Sequence, residues 1–307
     1  MNYILAVSGG VDSVVLLDMI VRGVLNNIPL GTRSRPLGQA HGLKKNVAKH
    51  FIVAHFDHGI RPNSGGDAEF VEKLAKKYQV RFELGEGRLG PRASEEEARA
   101  ARYKFFRELQ KKYATAKIIT AHHQDDLLET VVMNLIRGTG WRGLAPMNST
   151  LERPLLGLSK SELVEYAIRH NLDWVEDETN YSNQYFRNRI RGFLLKITPE
   201  QRQNLLILNA KQQFLREQIE RILVDVANKS SLTREFLLKI PTKSAVEVLR
   251  IWTYEKLTEK QTKKLLKDIK NANGGIDLQP GGGLEIRLRR SKLEKKLLKT
   301  IAKQLYL

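Results

Sequence analysis

The sequence contains no cysteine among its 307 residues, and this absence excludes several kinds of site. Without thiols there is no disulfide framework, no thiolate zinc site and no nucleophile that carries a persulfide. Long apolar runs are absent as well, since none approaches the ~20 residues that a helix needs to span a bilayer. The first residues lead directly into a predicted strand rather than a signal segment. These absences predict a soluble, cytoplasmic protein that does not bind a membrane.

Negative charge is scarce in the second part of the chain. Residues 1–180 contain 25 Lys and Arg against 22 Asp and Glu, whereas residues 181–307 contain 27 against 12, which gives net charges of +3 and +15. Such an excess favours a polyanionic partner, and a nucleic acid fits it better than a membrane because no helix combines a lysine face with an aromatic face. A solvated basic face without a ligand is the alternative.

Strands and helices alternate through the first part of the chain. Short apolar runs predict strands at residues 3–7, 51–55, 80–84 and 117–121. Helices are predicted at residues 11–24, 67–78, 94–113 and 125–137. This order predicts an α/β fold with a parallel sheet covered on both faces and a ligand site at the carboxyl ends of the strands.

The remaining segments predict three parts. A capping box of Ser159 and Glu162 opens a helix that ends near Asn171, residues 174–176 read as an edge strand, and residues 31–49 read as a loop. Helical periodicity extends over residues 193–228, and the sequence then predicts helices at 243–257 and 259–271, strands at 276–278 and 284–288, and a basic tail from Arg287. The predicted parts are a catalytic domain (1–195), a helical linker (196–240) and a small basic α+β domain (241–307).

A glycine-rich turn joins the first predicted strand to the first predicted helix. It consists of Ser8, Gly9, Gly10, Val11, Asp12 and Ser13. Backbone N–H groups and the positive end of the helix converge there, and the glycines permit close approach of an anion. The turn lacks the Gly-Lys-Ser/Thr ending of ordinary NTPases. Asp12 would repel phosphate unless a metal ion lay between, so the turn predicts a pyrophosphate loop for ATP and Mg²⁺. A plain turn with a helix N-cap is the alternative.

A second polar cluster follows the fourth predicted strand. His122, Asp126 and Glu129 form a mostly acidic group, and the two carboxylates share one helix face. Such a pocket suits a metal ion or a cationic amine. Asp125 is interpreted as a helix cap, and the histidine spacing of zinc proteases is absent.

Three further groups could bind a nucleotide or a polyanion. Asp57 follows the second predicted strand, where an adenine nucleotide would lie. Arg99 and Arg102 share a helix face and could neutralise phosphate, although a solvated surface is the alternative. Three arginines offer bidentate contacts to phosphate: Arg187, Arg189 and Arg191.

The order of these motifs resembles that of bacterial tRNA(Ile)-lysidine synthases over residues 1–195. The matching motifs are SGGVDS (8–13), HFDHGIR (55–61), EARAARY (97–103), TAHHQDDLLET (120–130), RGTG (137–140), RPLL (153–156), DETN (177–180) and RNRIR (187–191). The chain departs from the family in residues 31–49, where the family usually turns quickly to the second strand. The resemblance implies a nucleotide-binding domain of the adenine nucleotide α-hydrolase-like, ATP-pyrophosphatase type. It also implies an enzyme that adenylates C2 of the wobble cytidine in tRNA(Ile) with a CAU anticodon. Free L-lysine then displaces AMP, which changes the specificity of the tRNA from Met to Ile.

The resemblance also implies roles for individual residues. Catalysis is expected of Asp12, Asp126 and Arg187, with both aspartates as metal ligands, and ATP is expected at the residue 8–13 loop with Asp57 and Arg102. Lysine is expected at His122 and Glu129, and tRNA at Arg189 and Arg191. The sequence leaves the formation of a homodimer open. Two alternatives are a different pyrophosphate-loop enzyme, such as a tRNA thiolase, and a non-catalytic RNA-binding protein. The lack of cysteine disfavours the first, and the intact loop and acidic cluster disfavour the second.

Overall fold

The chain folds into two compact units, Met1–Ala210 and Lys211–Leu307. The computed structural model describes residues 3–25, 48–59, 64–90, 93–114, 117–146, 151–176, 186–229, 232–272 and 275–297. No helix in these ranges is long and apolar enough to cross a membrane.

A four-stranded parallel sheet forms the centre of the first unit. Its strands are β1 (Tyr3–Ala6), β2 (Phe51–Asp57), β3 (Arg81–Glu86) and β4 (Lys117–Ile119). They are arranged in the order β3-β2-β1-β4, and every neighbouring pair is parallel. The four predicted strands and the parallel α/β fold are confirmed. Because β1 lies between β2 and β4, the loops that follow these three strands meet at one edge of the sheet.

Helices connect the strands and follow the sheet. They are α1 (Val11–Arg22), α2 (Ser64–Lys77), α3 (Glu95–Lys112), α4 (Gln124–Ile136), α5 (Lys160–Arg169) and α6 (Phe186–Leu194). The predicted capping box at the start of α5 is confirmed, since the Ser159 hydroxyl accepts from the Glu162 N–H and the Glu162 carboxylate accepts from the Ser159 N–H. Helix α1 ends at Gly23, whose φ of +68° favours glycine.

A buried carboxylate holds α1 in place. Asp18 is completely buried. It accepts hydrogen bonds from the Tyr78 hydroxyl at 2.6 Å, the Tyr166 hydroxyl at 2.8 Å and the Arg22 guanidinium at 2.7 Å. Tyr166 lies on α5, so this contact fixes the helix that follows the glycine-rich loop against the helix that begins at Lys160.

Helices and a small antiparallel sheet make up the rest of the chain. The elements are α7 (Pro199–Lys229), α8 (Arg234–Lys239), α9 (Thr242–Trp252), α10 (Glu259–Asn271), β5 (Ile276–Gly281), β6 (Leu284–Arg289) and β7 (Lys292–Leu297). The sheet has the order β5-β6-β7. Its buried side chains include Ile286 and Leu293, and α9 and α10 contribute Leu249 and Leu265 to the core. The predicted helical region and small α+β part are confirmed, whereas the three-part domain division stays a prediction.

Two sequence expectations about secondary structure are wrong. Residues 174–176 form no strand, because Val175 makes one backbone hydrogen bond, to the Gly9 carbonyl at 3.0 Å, instead of a ladder. The basic tail contains β7, in which Leu293 is buried among lysines. Several expectations lie outside the described residues: most of the 31–49 loop, Arg61, residues 177–180 and the tail from residue 298. Residues Ala48–His50 form a 3₁₀ turn.

Candidate active site

The glycine-rich loop keeps the start of α1 open. The Ser13 hydroxyl accepts from the Ser8 N–H at 3.1 Å and the Gly9 N–H at 3.2 Å, and it donates to the Gly10 carbonyl at 2.9 Å. Ser13 is buried, so it shapes the loop from behind. Gly9 has a φ of +96°, which favours glycine. No side chain caps α1, so its first N–H groups and its dipole are available to an anion.

Asp12 lies in the first turn of α1 between two basic groups. The Lys160 ammonium donates to its carboxylate at 2.7 Å, and the His123 Nε2 atom lies 3.6 Å from it. Burial alone would raise the pKa of Asp12, but the hydrogen bond with His123 and the charge of Lys160 outweigh burial and lower this pKa. Asp12 is therefore ionised at neutral pH.

His123 occupies the N-cap of α4 and joins three carboxylates. Its Nε2 lies 3.6 Å from Asp12 and 3.5 Å from Asp126, and Asp126 accepts from the His123 backbone N–H at 3.0 Å. Burial opposes protonation, but hydrogen bonds with Asp12 and Asp125 raise the pKa of His123 to about 9. The neutral ring accepts from the Asp125 N–H through Nδ1 at 3.2 Å, whereas the protonated ring faces the Asp125 carboxylate at 3.5 Å.

The interpretation of Asp125 as the cap of α4 is therefore wrong, because His123 holds that position. Instead the Asp125 carboxylate accepts from the Lys160 backbone N–H at 2.8 Å and pairs with Arg202 on α7. Asp125 thereby ties the start of α4 to the start of α5.

Two arginines of α6 bind Glu129, the third acidic residue of α4. Glu129 is 1% exposed, and its two oxygens accept from Arg187 Nε at 2.7 Å and from Arg191 Nε at 2.8 Å. Arg187 also donates to Asp126 at 3.2 Å, which confirms that Asp126 and Glu129 share a helix face. The expectation of a mostly acidic pocket is wrong for the structure described here, because Asp126 and Glu129 both pair with arginine. An ammonium group would have to displace an arginine to reach Glu129.

His122 lies beside this cluster as a neutral ring. Its Nδ1 is 2.8 Å from the Thr120 hydroxyl. Burial, together with the charges of Arg153 and Arg187, lowers the pKa of His122 to about 4, although Asp126 opposes the shift. The ring is therefore uncharged at neutral pH and can accept a hydrogen bond from a cationic group.

The loop after β2 brings the expected adenine-side residues to the same edge. The Asp57 carboxylate accepts from the Gly59 N–H at 2.8 Å and so holds the turn. Burial and the charge of Arg102 lower the pKa of His58 to about 4. Arg102 also lowers the pKa of His122, although burial is the largest cause there, so α3 places this guanidinium near both loops. The structure therefore brings Asp57 and Arg102 to the same side of the sheet as the α4 cluster.

Comparison with known families accounts for this arrangement. The sequence matches the PP-loop domain family ATP_bind_3 over residues 1–198. This chain belongs to the PP-loop family. The PP-loop itself is the glycine-rich turn at residues 8–13, and the predicted family resemblance is confirmed.

Curated relatives narrow the comparison within the PP-loop family. The tRNA(Ile)-lysidine synthase of Thermotoga maritima is 35% identical over 242 residues, which cover 75% of this chain and 54% of that protein. The enzyme of the same name from Lactobacillus gasseri is 34% identical over 218 residues, covering 67% of this chain and 45% of that protein. The chain thus spans about half the length of these relatives.

A solved PP-loop structure shares the fold. The U34-tRNA thiolase NcsA from Methanococcus maripaludis, solved with its [4Fe-4S] cluster, superposes with a TM-score of 0.54 at 16% identity. The match covers 71% of this chain and 73% of that one. At this identity the likeness shows the fold alone.

The carboxylates of the PP-loop site are ligands of the kind that Mg²⁺ prefers. Asp12 and Asp126 both direct a carboxylate oxygen at the same cationic atom, His123 Nε2. Proteins usually hold Mg²⁺ through one or two carboxylates plus the phosphates of the substrate. In the described ranges, no group of three or more metal-ligating side chains could hold a metal. To hold Mg²⁺, Asp12 and Asp126 would need further ligands, such as the phosphate oxygens of a nucleotide.

Sequence reasoning missed three members of the PP-loop site. Lys160 binds Asp12, His123 joins the carboxylates and Arg202 pairs with Asp125. A signal existed for the first two: His123 immediately precedes α4, and Lys160 immediately follows the cap residue of α5. Arg202 lies in a long helix and carried no local signal.

Proposed function

We propose that this chain ligates free L-lysine to C2 of the wobble cytidine in tRNA(Ile) with a CAU anticodon, consuming ATP and releasing AMP and pyrophosphate. The observation that carries the proposal is the meeting of the PP-loop carboxylate, Asp12, with Asp126 through His123. The relatives named tRNA(Ile)-lysidine synthase support the same reaction.

The first step requires ATP with its α-phosphate held for attack by the cytidine C2 oxygen. The uncapped start of α1 would bind phosphate oxygens, with Asp57 and Arg102 on the nucleoside side. Asp12 and Asp126 would hold Mg²⁺, which when bound supplies positive charge to the phosphates. Lys160 and Arg187 already bind these carboxylates, so they lie where they can stabilise the pyrophosphate that leaves.

The second step requires a bound lysine whose ε-amine loses a proton. Glu129 would bind the ammonium after one arginine of α6 moves away, and the neutral His122 ring would accept a hydrogen bond from it. The displaced guanidinium, Arg187 or Arg191, would then be available to the reacting phosphate. The amine attacks C2, the bond from C2 to oxygen breaks, and AMP leaves with that oxygen.

Contacts to the tRNA would come from Arg189, Arg191 and the basic residues 241–307. Helix α10 offers an exposed lysine face formed by Lys260, Lys264 and Lys267, which recur at i, i+4 and i+7. Lysines on such a face provide phosphate contacts without sequence information.

Nucleoside analysis tests the proposal. The protein is incubated with ATP, labelled lysine and an isoleucine tRNA transcript with a CAU anticodon, and the RNA is then digested. We expect one labelled nucleoside per tRNA and no labelling of a methionine tRNA that shares the CAU anticodon. ATP turnover that incorporates sulfur, or RNA binding without ATP–pyrophosphate exchange, would support the alternatives instead. Light scattering of the same preparation tests for a homodimer.

A further inference from the structure

Two arginines share one aromatic ring beside the acidic cluster. The guanidinium carbon of Arg137, at the end of α4, lies 5.9 Å from the ring centroid of Phe186, and that of Arg189, on α6, lies 5.4 Å from it. Both arginines are exposed. We call this group the Phe186 platform: Arg137, Phe186 and Arg189.

The two arginines of the platform differ from Arg187 and Arg191 of α6. Arg187 and Arg191 face Glu129 and are neutralised by it. Among the described residues, Arg137 and Arg189 form no ion pair with a carboxylate, and both guanidinium groups lie against one ring. Exposed cations without a carboxylate partner attract anions. The arrangement therefore favours an anionic ligand that can also contact an aromatic ring.

Single-stranded RNA has both properties. Its unpaired bases stack on aromatic rings and on guanidinium planes, while its phosphates pair with arginine. Phe186 is half-buried, and its ring packs on the α4–α6 cluster of Leu128, Val132, Ile190 and Leu194, which holds the platform rigid.

The position of the platform sets which nucleotide it can reach. Phe186 is the chain neighbour of Arg187, and adjacent Cα atoms lie about 3.8 Å apart. Arg187 in turn binds Asp126 and Glu129. The platform and the acidic cluster therefore lie on the same two helices, α4 and α6, where one RNA strand could reach both.

We propose that the Phe186 platform binds the nucleotide adjacent to the modified cytidine, with the base stacked on Phe186 and its phosphates paired with Arg137 and Arg189. This inference rests on the proposed function for the identity of the RNA. The platform adds Arg137 and Phe186 to Arg189, the only one of the three that the sequence predicts to contact tRNA.

A fluorescent base tests the stacking directly. Anticodon-arm RNAs are made with 2-aminopurine in place of the adenine that follows the cytidine in CAU, or in place of the nucleotide before it. Emission of 2-aminopurine falls when the base stacks. We expect quenching at one of the two positions with the wild-type chain, loss of that quenching in Phe186→Leu, and its retention in Phe186→Tyr, which keeps the ring. Phe193→Leu is the matched control, because Phe193 is an exposed phenylalanine on the same helix.

RNA affinity provides a second readout. Phe186→Leu should weaken binding of the anticodon arm about tenfold, as expected for one stacked base. Arg137→Gln and Arg189→Gln should each flatten the log–log salt dependence by about 0.7, the value for one phosphate contact of a single strand. Arg107→Gln, an exposed arginine on α3, is the charge control.

The outcomes separate this inference from the proposed function. If the wild-type chain incorporates lysine but neither 2-aminopurine RNA is quenched, the platform proposal is wrong and the function stands. If one RNA is quenched in a ring-dependent way while no lysine is incorporated, the platform stands and the function is wrong. Equal quenching and affinity in Phe186→Leu and the wild-type chain would also overturn the platform. Should Phe186→Leu fail to fold, the two arginine variants decide through their salt slopes.

Discussion

Replacement of Glu129 by Gln tests most sharply its ion pairs with Arg187 and Arg191. The carboxylate is 1% exposed and accepts charge-assisted hydrogen bonds at 2.7 and 2.8 Å. Breaking a buried ion pair leaves uncompensated charge and typically destabilises by about 3–5 kcal/mol. Here the side chains of Arg187 and Arg191 are 29% and 41% exposed, so water solvates them in part once they are released. We therefore expect a loss of ~2 kcal/mol, below that range.

Thermal unfolding of the ligand-free protein measures this effect. A loss of that size should lower the unfolding midpoint of the first unit by about 4–8 °C. Glu165→Gln is the matched control: Glu165 pairs with Arg169 on α5, but both side chains are mostly exposed, so its loss should change stability by less than ~0.5 kcal/mol. Equal midpoints for the two variants would refute the reasoning about burial.

A double-mutant cycle isolates the pair. Glu129→Gln, Arg191→Gln and the double variant should show a coupling of at least ~1 kcal/mol, because the two groups are in direct contact. Additive effects would show that the contact contributes nothing to stability.

The KM for lysine should rise far more in Glu129→Gln than the KM for ATP, since Gln retains the shape of Glu129 but cannot pair with an ammonium. An unchanged KM for lysine would place the lysine site elsewhere.

Three further predictions concern the metal site, the pH dependence and the basic face. Asp12→Ala should reduce adenylation at least about a hundredfold, ~3 kcal/mol in the transition state, with tRNA binding retained; ATP–pyrophosphate exchange checks this, and wild-type turnover would exclude the metal role. The pKa of His123 in the folded protein, about 9, exceeds its ordinary value of 6.5. Its contribution to the free energy of unfolding is therefore complete below pH 6.5 and is lost as the pH rises through 9. In urea unfolding without ATP or Mg²⁺, the free energy of unfolding should therefore fall by ~3 kcal/mol across that pH range, and it should change less with pH in His123→Gln. The same pH dependence in both proteins would contradict the raised pKa of His123. Replacing the α10 lysine face with glutamine should flatten the salt slope of tRNA binding by about 2–3, and an unchanged slope would place the phosphate contacts elsewhere; the variant is Lys260→Gln, Lys264→Gln and Lys267→Gln.

The parallel sheet could be predicted because its strands are short apolar runs separated by amphipathic helices. The four predicted strands of the parallel sheet are confirmed. Strand β7 was missed because lysines surround its buried Leu293, so its two-residue alternation is weak. The segment at 174–176 looked like a strand by composition, but its position supports only one backbone hydrogen bond, from Val175 to Gly9.

The site could be predicted where one local segment supplies both the chemistry and its geometry. The spacing of Asp126 and Glu129 on α4 is such a case, and Arg187 bridges the two as their shared face requires. The neutralisation of the cluster could not be predicted, since Lys160, Arg191 and Arg202 come from three other helices. Side-chain pairing across helices depends on tertiary packing, which no local pattern encodes.

The fate of the cytidine C2 oxygen tests the central claim most directly. An isoleucine tRNA with oxygen-18 at C2 of the wobble cytidine is incubated with the protein, ATP and lysine, and the AMP released is examined by mass spectrometry. If the C2 oxygen is adenylated and lysine then displaces AMP, each AMP carries one oxygen-18 atom and appears only when lysine is present. Unlabelled AMP, or AMP released at the same rate without lysine, would contradict the proposed function.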